Sequence, residues 1–147
     1  LHIYQSKAII YSMSHKLDLA ASIYKQLVTK LNHVSHIKHK RLMINIYFNA
    51  GLNAYDRNEY EEAKRLANKA ITLCLDEDSF YLLGQLYYLY GVAHFDQDPQ
   101  HQQESLEFLE KALSIFKLKY DSYNIEKVNE DIDRIASHDA VEKIVHP

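Results

Sequence analysis

The chain has little of what breaks or staples a fold: three glycines, two prolines and one cysteine in 147 residues, and no tryptophan. So little Gly and Pro argues against a turn-rich all-β body and suits long, uninterrupted helices. The one cysteine, Cys74, excludes an internal disulfide framework and fits a reducing compartment, so a cytoplasmic location is expected. No apolar run reaches the roughly 18 residues that a membrane span needs, and no signal peptide is visible, so no membrane partner is expected. An excess of positive charge is also missing: 17 Lys and Arg against 20 Asp and Glu give a formal net charge of −3. Nucleic-acid binders carry basic patches, so this segment is not expected to grip a phosphate backbone by itself. The first residue is Leu1 rather than Met, and a longer protein around this segment is expected.

Catalytic and metal-binding signatures are missing as well. There is no Gly-rich phosphate loop, no G-x-S-x-G and no convincing acid pair, so no enzyme and no cofactor are expected. His33, His36 and His39 fall at helical spacing, but no acidic or cysteine ligand adjoins them, and a metal site needs about four convergent ligands. Polar residues of a turn and helix start explain them better. Cys74 reads as a small core residue on the apolar face of its helix.

What the chain does have is apolar residues, 47% of the total, and twelve tyrosines, whose rings can pack between helices while the hydroxyl stays wet. It also has a recurring pattern of small residues. Ala8 and Ala20 stand 12 apart, Gly51 and Ala63 stand 12 apart with Ala70 seven later, and Gly91, Ser105 and Ala112 repeat this at 14 and 7. Small residues let one helix lie close on the next, and their recurrence means helix pairs stacked into a solenoid. The period is about 40 residues: Ala8 to Gly51 is 43 and Gly51 to Gly91 is 40.

Apolar periodicity predicts seven helices. They span about His2–Met13, Asp18–Leu31, Ser35–Arg57, a helix after Asn58 running to Leu75, Phe80–Phe95, one that starts at Asp98-Pro99 and ends near Lys119, and Ser122–Ile135. Asn58 with Glu61 three residues on reads as a capping box, and Asp98 before Pro99 as an N-cap with proline at the first helical position. Asp76 to Ser79 is a polar break. The Phe80–Phe95 segment is apolar almost all round, so it is expected to be buried on several sides. The charged outer face of the last helix suits a terminal cap.

These positions resemble the tetratricopeptide repeat. Counting from Leu1 the chain has Tyr4, Ala8, Tyr11, Ala20, Tyr24 and Leu27; counting from Ile44 it has Tyr47, Gly51, Ala63 and Ala70; counting from Gly84 it has Tyr87, Gly91, then Ser105 and Ala112 after a two-residue insertion. The resemblance covers about residues 1–118, with a period longer than the usual 34. It implies an all-α, right-handed superhelix of antiparallel helix pairs. The expected organisation is a repeat domain over 1–136, with repeats at about 1–34, 44–77 and 84–119, a capping helix at about 122–136, and a tail or short helix over 137–147. The stretched period, with Tyr90 to Phe95 and Glu110 to Phe116, is similar to the C-terminal domain of the Rgg/PlcR/PrgX-like transcription regulators of Gram-positive bacteria. That resemblance implies a domain that binds a short signalling peptide, forms a homodimer, and reaches DNA only through an N-terminal helix-turn-helix outside this segment.

In the repeat family, set positions of each first helix line a concave groove. Mapped here they give Gln5 and Ile9 (with Ser6 and Met13) in the first repeat. The central repeat gives Asn45, Phe48, Asn49, Leu52, Tyr55 and Asp56. The third gives Gln85, Tyr88 and Val92, with Leu89 and Phe95. Asn45, Asn49 and Asn53 form an i, i+4, i+8 stripe on one helix face. An Asn amide both donates and accepts, so it can hold an extended peptide backbone whatever the side chains are. A solvated polar face is the alternative, but Asn is a poor helix former, and three on one face need a reason. Members of the repeat family that hold a C-terminal carboxylate do so with Lys, Asn, Asn, Lys and Arg at places that here read Gln5, Ile9, Asn49, Gln85 and Leu89, so only Asn49 matches. The charge-assisted part of that clamp is missing. The expected function is peptide or protein binding in the groove, as the sensor of a peptide-responsive regulator; the alternative is a scaffold that joins proteins and takes no small ligand.

Overall fold

The computed structural model describes residues 2–33, 40–76 and 79–138. Within them the chain forms α1 (His2–Met13), α2 (Leu17–Asn32), α3 (Lys40–Asp56), α4 (Tyr60–Asp76), α5 (Leu83–Gln97), α6 (Gln102–Leu118) and α7 (Ser122–Ala136), and no strand. The expected helix start near Ser35, the residues His36 and His39, part of the break at Glu77 and Asp78, and residues 139–147 lie outside the described residues.

With no glycine to spare for helix ends, the chain stops its helices on other residues. His15, Asn58 and Tyr120 each take a left-handed backbone conformation, with φ of 57°, 60° and 53°. Each closes the same motif. Lys16 N–H reaches Tyr11 O at 2.9 Å, Glu59 N–H reaches Ala54 O at 2.8 Å, and Asp121 N–H reaches Phe116 O at 3.0 Å. These are Schellman bonds, which satisfy carbonyls that a helix end would otherwise leave unpaired. Asn58 is therefore the stop signal of α3, and the expected capping box does not form. The first bond of α4 goes to Glu59 O, and Glu61 pairs with Lys64 and Gln97 instead of turning back. Asn tolerates the left-handed region better than other non-glycine residues, and this outweighs its capping preference here. Asp98 does cap: its Oδ1 accepts from Gln100 N–H at 3.0 Å, and Pro99–His101 forms a 3₁₀ turn leading into α6.

Each helix packs on its sequence neighbours. In addition α1 touches α3, α3 touches α5 and α5 touches α7. Odd-numbered helices thus form a continuous inner layer and even-numbered ones the outer layer, which is the tetratricopeptide-like architecture. The small residues mark the points of closest approach: Ala8, Ala20, Ala63, Ala70, Ser105 and Ala112 are all fully buried. A Cβ on Gly91 would come within 3.1 Å of both the Ser105 carbonyl and Phe108 Cβ, so α5 and α6 meet almost backbone to backbone. The core runs through the stack as two large clusters that share Tyr55 and Tyr87 at their boundary. As its composition requires, α5 is buried on several sides, through Leu83, Leu86, Leu89, Val92 and Phe95. Cys74 is a buried core thiol that donates to Tyr81 O at 3.1 Å, and burial pushes its pKa up.

Candidate functional site

Two inner helices leave a hollow of about 260 Å³ between them. From α1 come Ile9, Ser12 and Met13, at i, i+3, i+4, and from α3 come Asn49, Leu52, Asn53 and Asp56, at i, i+3, i+4, i+7; Tyr24 of α2 closes the back. Ile9, Met13 and Leu52 make the hollow apolar, and Met13 and Leu52 remain exposed at its edge. Asn49 is half-buried and its amide makes no hydrogen bond among the described residues. Ser12 Oγ faces the Tyr24 hydroxyl but has no partner at hydrogen-bond geometry among the described residues. Asp56, the last residue of α3, stands exposed at the rim; partial burial raises its carboxyl pKa, and His15, in the turn after α1, pulls the other way.

The ten residues singled out in the sequence divide on folding. Ile9, Asn49, Leu52 and Asn53 meet in this hollow. Asn53 is 3% exposed and donates to Leu17 O at 3.1 Å, tying α3 to the start of α2. Asn45 lies a turn and more away and donates to the Tyr81 hydroxyl at 2.7 Å and to Arg41 O at 3.0 Å. Phe48 packs against the core, Val92 is part of it, and Gln5 is buried on α1. Gln85 presents a buried Oε1 without a partner among the described residues. The Tyr88 hydroxyl donates to Asp131 Oδ2.

That last bond belongs to a network the sequence reading did not assemble. Asp96 on α5 and Asp131 on α7 flank the guanidinium of Arg134, with Nη1 to Asp96 Oδ1 at 3.0 Å and Nε to Asp131 Oδ1 at 2.8 Å. The second oxygen of each carboxylate accepts from a tyrosine, Tyr55 on α3 and Tyr88 on α5. Arg134 also lies over the Phe95 ring, 5.3 Å from its centroid. Three inner helices are joined this way. Burial, and then the bond to a carboxylate, raise the pKa of both tyrosines well above the ordinary value. The i, i+3 spacing of Asp131 and Arg134 was the visible signal; their partners on α3 and α5 were not.

A larger hollow, about 760 Å³, lies on the outer side between α2 and α4. Its charged residues, all but Lys25, pair with one another: Arg57 with Asp18 at 3.2 Å and Glu59 at 3.0 Å, Arg65 with Glu62 at 2.6 Å. Size alone does not make it a site. Among the described residues no group of His, Cys, Asp or Glu is arranged to hold a metal, and no helix is long and apolar enough to cross a membrane.

The family model of the RNPP family C-terminal domain matches residues 1–131, and the chain belongs to that family. Two solved structures of Bacillus thuringiensis PlcR share its fold. One is PlcR in complex with the peptide PapR7 and DNA, at TM-score 0.78 and 23% identity over 87% of this chain. The other is PlcR in its apo form, at TM-score 0.79 and 23% identity over 90% of this chain. This chain covers 45% and 47% of those two chains, so it spans less than half their length. No curated protein matches it.

Proposed function

We propose that this RNPP-family domain holds a short peptide against its inner face, in the hollow between α1 and α3, as the sensor of a peptide-responsive transcription regulator. The observation that carries this is the Asn49 amide: half-buried, without a hydrogen-bonding partner among the described residues, and set among Ile9, Met13 and Leu52. A donor and acceptor on one side chain matches an extended backbone, and the apolar surround takes a side chain. The family membership supports the reading, and so does the PlcR structure that contains PapR7.

The mechanism is a population shift. A peptide touching α1 and α3 together favours the superhelical curvature, or the homodimer arrangement, in which both contacts are made. DNA is reached through a helix-turn-helix beyond this chain, in the cytoplasm. For the test, peptides are selected on the intact protein from a random library and titrated by calorimetry. Replacing Asn49 by Ala is expected to weaken binding by about 1–3 kcal/mol, the cost of leaving backbone groups unpaired. Equal affinities for both proteins would remove Asn49, and with it the argument for this hollow.

A further inference from the structure

We propose that Asp56 is the specificity-determining residue of the inner face, and that the peptide places a cationic group, ammonium or guanidinium, against it beside an apolar side chain. This rests on the reading of the hollow as the peptide site and adds the chemistry of the ligand.

Asp56 is exposed to solvent, and no contact among the described residues calls for a carboxylate there. Asp56 closes α3, where the helix dipole disfavours negative charge. It has no ion pair and no hydrogen bond among the described residues, and it lines a hollow whose other described residues carry no charge. Only His15, in the turn after α1, faces it electrostatically.

The chain itself shows what a carboxylate at this place takes. Asp96 stands 40 residues on, at the same position of the next repeat. It holds the Arg134 guanidinium at 3.0 Å, beside the Phe95 ring. Among the described residues Asp56 has no such partner at contact distance, only His15 facing it electrostatically, and it is open to solvent, so a cation from outside can reach it. Next to it Met13 and Leu52 keep apolar surface exposed, 77% and 37%, ready for an uncharged side chain. The cations of a carboxylate clamp are absent from Gln5, Gln85 and Leu89, so the charge-assisted part of an anchor for the peptide's own carboxyl end is missing.

The test uses three random hexapeptide libraries on the intact protein, read by affinity selection and mass spectrometry. One is N-acetylated and contains Lys and Arg. One has a free amino terminus and lacks Lys and Arg. The third is N-acetylated and lacks both residues. One or both of the first two are expected to be retained about tenfold over the third, roughly the worth of one charge-assisted contact. Which of them prevails tells whether a side chain or the peptide's own terminus supplies the cation. In Asp56→Asn the advantage of the cationic libraries over the third is expected to vanish, and Asp56→Lys should turn the preference toward Asp- and Glu-containing peptides. Equal retention of all three libraries, or an advantage that survives in Asp56→Asn, overturns the role of Asp56 alone. Retention of none by the native protein overturns the peptide site as well.

Discussion

At the scale of single residues, the side chain best suited to a ligand is the one the fold would be steadier without. Asp56 carries a negative charge at the negative end of α3, and burial raises its carboxyl pKa. A raised pKa means the folded chain binds that proton more tightly than the unfolded one, so the ionised carboxylate lowers stability at neutral pH. The penalty fades as pH falls through the carboxylate range. Asp56→Asn is therefore expected to be more stable than the native protein at pH 7 by about 0.3–1 kcal/mol at low salt. The gap should close near about pH 3, where the native carboxyl is protonated. Thermal melts at the two pH values check this; a gap of the same size at both would show that charge is not the cause. The three asparagines teach a related lesson. Their spacing put Asn45, Asn49 and Asn53 on one face of a helix, and that much was legible. Which one stays without a partner among the described residues was not, because it depends on Tyr81 and Leu17, each 36 positions away in sequence.

At the scale of helices and turns, the scarcity of glycine moves a strain into the stops. Tyr120 ends α6 in the left-handed region with 92% of its surface exposed, so its side chain adds almost no packing to offset the backbone cost. Tyr120→Gly is expected to stabilise by about 0.5–1 kcal/mol, the left-handed penalty less the extra entropy glycine loses on folding. Denaturant midpoints measure it, and a lower midpoint would mean that the exposed ring contributes something the backbone geometry does not reveal. Helix positions were readable because apolar residues recur at helical spacing over whole segments, as in Leu109, Ala112 and Phe116. The end at Asn58 was misread because Asn serves both as N-cap and as left-handed stop, and the sequence does not say which helix claims it.

At the scale of the molecule, the inner layer is held by contacts between every second helix, and the Asp96–Arg134–Asp131 network with Tyr55 and Tyr88 is the polar part of that wall. Removing the cation leaves two carboxylates facing each other. Arg134→Gln is expected to cost about 1–2 kcal/mol, a charged hydrogen-bond loss discounted for its half-exposed position. The loss should be local: hydrogen exchange should quicken in α7 and at the end of α5 while α1 to α4 keep their protection. Uniform quickening along the chain would mean that the repeats fold as one cooperative body.

The sequence by itself determined the helices, their pairing and the small-residue seams, because these follow from periodicity and from the room a backbone needs beside its neighbour. It also determined the family, since the pattern that carries the fold is the pattern the family shares. Only the tertiary structure decided which polar groups on the inner wall are satisfied and which remain open. Asp56 and Asp96 are the same residue at the same position of successive repeats, yet one is neutralised by Arg134 and the other faces an apolar hollow. That difference is set by the inner helix each one faces: α7 brings Arg134 to 3.0 Å from Asp96, whereas α1 brings only uncharged residues to the hollow that Asp56 lines, and no local pattern encodes it.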